Sequence, residues 1–199
     1  LRMYDREVEQ AAENTTKFVE MLYDAIEKVI AALRDERITT IDPPSREKLA
    51  EGREKLTFVE RDYQFMFVHH EGVAFPTLAQ CNLADETADE LRQKRAGRVV
   101  VYYHPLDEVE AAKVLCSFYV FSDGTWCVCG AGQAAQGSLN RQEIMDYTIE
   151  LFDLIQDGFK KHWYEEREIS LSTADSAKPE TRFHIPHVAT EEITLPGES

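Results

Sequence analysis

The chain has 199 residues, 37 of them Asp or Glu against 22 Lys or Arg, which gives a formal net charge of -15. That charge repels nucleic-acid phosphates and anionic headgroups, so neither nucleic acid nor membrane is expected as a partner, and a basic protein or a second copy of the chain is. Hydrophobic residues at 43% and charged residues at 30% form an ordinary globular mixture that can fill one core, and no apolar run approaches the roughly 20 residues of a membrane span.

Residues 4–34 carry Val8, Ala11, Phe18, Leu22, Ala25, Val29 and Leu33 at steps of three and four, widened by Ala12, Val19, Ile26 and Ile30. This predicts one long amphipathic helix whose broad stripe packs on a sheet or in a bundle. Glu9, Glu13, Glu20, Asp24 and Glu27 line its outer face. Asn14-Thr15-Thr16 fits the glycosylation pattern, but inside a helix of a chain with no visible export signal it is discounted. Pro43 and Pro44 end the segment. Ser45 then reads as the N-cap of a second helix through Leu49, stopping near Gly52 or continuing towards Arg61.

From Tyr63 the period changes to two, and Phe65 and Phe67 share one face of a central strand. A turn at 70–72 leads to a second strand over 73–81, in which Pro76 favours an edge position or a bulge. Asp85 reads as the cap of a short helix, closed by Arg92, Lys94 and Arg95 and a C-terminal Gly97. Strands follow at 98–103, 114–121 and 125–129, the last two joined by Asp123-Gly124. The glycines between 130 and 137 mark a flexible connection. Asn140 with Glu143 forms a capping box for a final helix, with Leu139 and Ile144 as its staple and a buried face reaching Trp163 near residue 167.

The expected fold is α+β: an antiparallel sheet of about five strands packed by long N- and C-terminal helices, in the order α-α-β-β-α-β-β-β-α. The expected domain covers 1–170, divided into a helix and linker (1–44) and a sheet core with covering helices (45–170), and an extended polar tail follows over 171–199. The β-β-α-β-β-β-α portion resembles the order in profilin-like folds, among them roadblock, longin, PAS and GAF modules. The resemblance is one of topology over half the chain and carries no functional residues.

Four cysteines, Cys81, Cys116, Cys127 and Cys129, lie in apolar stretches at uneven spacing, so buried free thiols in a reducing cytoplasm are expected rather than a disulfide framework. Cys127 and Cys129 share a strand face about 6 to 7 Å apart. With His69 and His70 they are weak metal candidates, since the histidines are adjacent and point to opposite faces. His104 with Asp107 and Glu108 has the ingredients of an acid–base group but no nucleophile beside it.

No catalytic set, cofactor motif or phosphate loop emerges, so the first functional expectation is a non-catalytic interaction or assembly subunit. It would act through its N-terminal helix and tail, with Phe183, His184 and Ile185 docking on a neighbour. Besides an enzyme using the His69, His70, His104 and cysteine set, with or without a metal, two alternatives remain. One is a small-molecule sensor with a pocket lined by Phe65, Phe67, Tyr102 and Trp126. The other is an acidic inhibitor mimicking nucleic acid.

Overall fold

The computed structural model describes residues 2–37, 41–78, 81, 83–130 and 135–160. Among these residues seven antiparallel strands form one sheet in which every strand pairs with its neighbours in sequence. They are β1 (Ser45–Lys48), β2 (Glu54–Glu60), β3 (Tyr63–His69), β4 (Ala96–Pro105), β5 (Lys113–Phe121), β6 (Thr125–Gly130) and β7 (Ala135–Ser138). Helices α1 (Arg2–Asp35) and α3 (Arg141–Lys160) lie side by side on one face, and the short α2 (Asp85–Leu91) belongs to the β3–β4 connection.

The helix-covered face holds the main core. Leu56 and Phe58 of β2, Phe65 and Phe67 of β3, Val99, Val101 and Tyr103 of β4, Phe118 of β5 and Trp126 of β6 meet Phe18, Leu22 and Ile26 of α1 and Leu151, Phe152 and Ile155 of α3. Aromatic rings dominate it. Phe18 lies 5.4 Å from Phe118 and 5.7 Å from Trp126, and Phe58 stacks on Phe65 at 5.1 Å. Polar side chains of α1 fix its height over the sheet. Asn14 Nδ2 donates to the carbonyls of Phe121 and Ser122, each at 3.0 Å. The Tyr23 hydroxyl lies 2.9 Å and 2.8 Å from the carbonyl oxygens of Glu54 and Phe67. Asn14 is thus a buried structural residue, which suits the discounted glycosylation reading.

The opposite face carries two separate apolar clusters. Met66, Val68, Val100, Tyr102 and Val114, with Leu49, occupy the β3–β5 side. Tyr119, Phe121, Cys127 and Cys129 on β5 and β6 are covered by Leu78, Leu91 and Ala96, with Cys81 and Leu83 against them.

Several local expectations are corrected. The second helix is instead β1, a three-residue 3-10 turn and β2. Arg46 of β1 is drawn to Asp24 and Glu27 of α1 and to Glu54 of β2, and the β1–β2 ladder satisfies backbone groups that a helix end would leave open. Residues 73–78 form only a bridge, Ala74 to Ala96, rather than a strand. Ala84, not Asp85, is the N-cap of α2. Gly97 lies inside β4, where a Cβ would fall on the Thr15 side chain of α1; its role is close approach, not helix termination. The sheet has seven strands rather than about five, because β1, β2 and β7 escaped the periodicity. The hairpin at Asp123-Gly124 and the Asn140 cap are as expected: Asn140 Oδ1 accepts from the amides of Gln142 and Glu143 at 2.9 and 3.1 Å. Glu143 turns back to Ser138, accepting from its amide at 2.8 Å and its hydroxyl at 2.6 Å. Trp163 and the tail with Phe183, His184 and Ile185 lie outside the described residues.

Candidate functional site

Strand alternation separates the four residues of the expected pocket. Phe65, Phe67 and Trp126 point into the helix-covered core, and Tyr102 points from β4 to the other side. Phe65 is stacked between Phe58 and Tyr103, and Trp126 donates from Nε1 to the Ser138 carbonyl at 2.8 Å. These rings are spent on packing.

The metal candidates are likewise dispersed. Among the described residues no group of three or more His, Cys, Asp or Glu is gathered to hold a metal ion. Cys129 is joined instead to Cys81, with their Cα atoms 4.6 Å apart, which corrects the expectation of four free thiols. The bridge fastens the β3–β4 connection to the outward face of β6. Cys116 and Cys127 are free and buried. Burial pushes the Cys127 thiol up to about 12 and raises that of Cys116 as well, so neither is a ready nucleophile. His104 is buried within β4, its Nδ1 2.6 Å from the Pro105 carbonyl, and does not form an acid–base group with the exposed Asp107 and Glu108.

Two features do assemble. The first lies at the start of α1. Met3, Tyr4 and Phe75 are 79%, 46% and 54% exposed. The Arg95 guanidinium carbon lies 4.0 Å from the Tyr4 ring centroid and 4.7 Å from that of Phe75, so one cation joins both rings. Asp5, Glu7 and Glu9 are exposed on the same turns of α1, interleaved with exposed Arg2 and Arg6. Residues 73–78 carry Phe75 past the helix because the Ala74–Ala96 bridge anchors them beside β4, while Arg95 immediately precedes that strand. The apolar stripe of α1 from Ala11 to Ile30, by contrast, is consumed by the molecule's own sheet.

The second feature lies at one end of β2, β3 and β4. His70 Nε2 and the Tyr102 hydroxyl are 2.7 Å apart, with ring centroids at 5.9 Å. Arg53 Nη1 donates to the His69 carbonyl at 3.1 Å, and the His70 amide donates to the Arg98 carbonyl at 3.0 Å. Burial, reinforced by Arg53, pulls His69 down to about 4. Burial, with Arg98, Arg53 and His69, does the same to His70. Burial also raises the Tyr102 hydroxyl to about 12.

Sequence reasoning singled out His69, His70 and Tyr102 but not Arg53, Arg98, Tyr4, Phe75 or Arg95, whose neighbours are remote along the chain. Among the described residues no helix is long and apolar enough to cross a membrane. Comparison with protein-family models, curated proteins and solved structures finds none that matches this chain.

Proposed function

We propose that this is a non-catalytic interaction subunit that docks a basic protein segment on the aromatic patch at the start of α1. The observation that carries the reading is the gathering of Tyr4 and Phe75 around Arg95, with both rings substantially exposed and Met3 exposed one residue before Tyr4. Met, aromatic and Arg side chains are the types that anchor protein interfaces, because each offers a large contact area. The net charge of -15 favours a cationic partner and speeds its encounter. Because the main stripe of α1 is used internally, the interaction role expected of this helix moves to its first turns.

Fluorescence anisotropy with a labelled amphipathic Lys/Leu peptide tests this, comparing the parent with a Met3→Ser/Tyr4→Ser/Phe75→Ser variant at low and high salt. The parent is expected to bind saturably at both. The triple variant should lose about tenfold in affinity, or about 1.4 kcal/mol, with the loss persisting at high salt where charge attraction is screened. Equal binding by both proteins would reduce the attraction to net charge and refute the patch. Light scattering on the same pair reads self-association: a parent dimer that the triple variant abolishes would assign the patch to a second copy.

A further inference from the structure

We propose that Arg53, His70, Arg98 and Tyr102 form a binding site for a phosphate-class dianion, on the sheet face that the long helices do not cover. The site follows from register. Val68 pairs with Lys55 on one side and Val100 on the other, so the next outward-facing row along the strands is Arg53, His70 and Arg98. The bond from the Arg53 guanidinium to the His69 carbonyl and the backbone bond from the His70 amide to the Arg98 carbonyl hold this row together. Two guanidiniums therefore flank one histidine from β2 and β4, two strand spacings or about 9.6 Å apart at their backbones. The His70 ring reaches along β4 to Tyr102, placing a hydroxyl at the edge of the row.

Acids outnumber bases 37 to 22; among the described residues Lys17, Arg46, Lys55, Arg92, Lys94 and Arg141 have carboxylate partners, and several other bases, the two arginines of this row among them, do not. Neither Arg53 nor Arg98 forms an ion pair with a described residue. Arg98 is exposed, and Arg53 Nε is a buried donor with no acceptor. Burial and the neighbouring cations keep His69 and His70 neutral at pH 7, so repulsion among four basic groups is relieved by withholding two protons. An incoming dianion supplies the missing counter-charge. A carboxylate satisfies one guanidinium fork, whereas a phosphate has three terminal oxygens and can accept from two forks approaching from opposite sides, with the imidazole or phenol hydroxyl as a further donor.

The reading is independent of the α1 patch, which lies on other elements, and is tested on the full chain by imidazole ¹H–¹³C NMR. Inorganic phosphate and O-phosphoserine are titrated separately at fixed ionic strength, with His70→Gln identifying the resonance. Expected are a saturable shift of the His70 signal and an upward move of its titration midpoint, since a bound dianion favours the protonated ring. Arg98→Gln and Arg53→Gln should each weaken binding at least tenfold while circular dichroism stays unchanged. Tighter binding of O-phosphoserine than of phosphate would identify a phosphorylated side chain as the source, and the reverse order free phosphate; both support the site. Absence of a saturable His70 shift, undiminished affinity in Arg98→Gln, or succinate binding as tightly as either phosphate probe would overturn it.

Discussion

The two faces of the sheet are closed by different means. On one, α1 and α3 lay continuous helical stripes over aromatic rings from five strands, and closeness of backbone does the fastening: Gly97 of β4 lets Thr15 of α1 sit almost on the strand. On the other, no long helix is available among the described residues. The β5–β6 side is covered by the β3–β4 connection, tethered through Cys81–Cys129 and a long Tyr119 hydroxyl contact to the Thr77 carbonyl at 3.4 Å. The β3–β4 side carries the unpaired guanidiniums and the His70–Tyr102 pair. Dense packing therefore concentrates where periodicity is long, and chemistry concentrates where the cover is short. A face closed by a loop exposes the ends of its strands.

The largest expected effect separates the faces by their fastenings. The Cys81–Cys129 bridge closes a loop between residues 48 apart in sequence, and chain-entropy arguments for such a loop give about 4 kcal/mol of stabilisation. Urea denaturation with and without dithiothreitol is expected to show a loss of that order, matched by Cys81→Ser and absent when reductant is added to that variant. Hydrogen exchange should show protection falling in residues 83–96 and on β6 while α1 keeps its own. Simultaneous loosening of α1 would mean that the faces are not separately fastened, and an unchanged midpoint would deny the bridge.

Next in size is the helix contact. A Cβ at Gly97 would meet the Thr15 side chain, with Thr15 Cβ only 2.8 Å away. Thr15 cannot swing aside, because it is fully buried and its hydroxyl donates to the Ala11 carbonyl at 2.6 Å. Gly97→Ala should cost about 3 kcal/mol by overpacking. Adding Thr15→Gly removes the obstructing carbon and should recover part of the loss, less about 1 kcal/mol for a glycine inside a helix. A thermal-melt double-mutant cycle measures the coupling. Additive losses would show that the cost of Gly97→Ala does not arise from Thr15 and that the close approach is incidental.

How much of this was legible follows from the range over which each signal acts. The stripe of α1, the Asp123-Gly124 hairpin and the Asn140 cap are written within a few residues and could be read directly. Strand β2 was hidden because its inward positions are Leu56, Phe58 and Glu60, and a carboxylate on the buried side breaks the alternation. Strand β1 was hidden because all four of its residues are exposed and only pairing with β2 makes them a strand. Gly97 read as a helix terminator because its reason for being glycine lies on α1. The Cys81–Cys129 bridge, the placement of Tyr102 away from Phe65 and Phe67, and the convergence of Tyr4, Phe75 and Arg95 all depend on register or on contacts across tens of residues. A single sequence does not record those.

The smallest expected effect uses pH to compare a group on each face. Glu60 of β2 is 1% exposed on the helix-covered side; its side chain meets Gln156 of α3, Arg61 lies beside it, and its Oε2 has no described partner. Burial raises its carboxyl above the usual 4.5, against the opposing pull of the Gln156 contact and Arg61. The folded state therefore holds a proton that the unfolded chain has released. The associated stabilisation is full below pH 4.5 and is lost as pH rises through the folded value. His69 and His70, lowered to about 4, act in the other direction: their contribution is full above about pH 6.5 and is lost as pH falls towards 4. Glu60→Gln keeps the shape and removes the buried charge, so it should stabilise the protein by about 1 kcal/mol at pH 8, the scale of one unmet buried acceptor, and by nothing near pH 4. Urea midpoints across pH 4–8 measure this. The acid limb set by the histidines should survive in Glu60→Gln while the alkaline decline flattens; a uniform shift at every pH would assign the gain to packing and remove the carboxylate from the account.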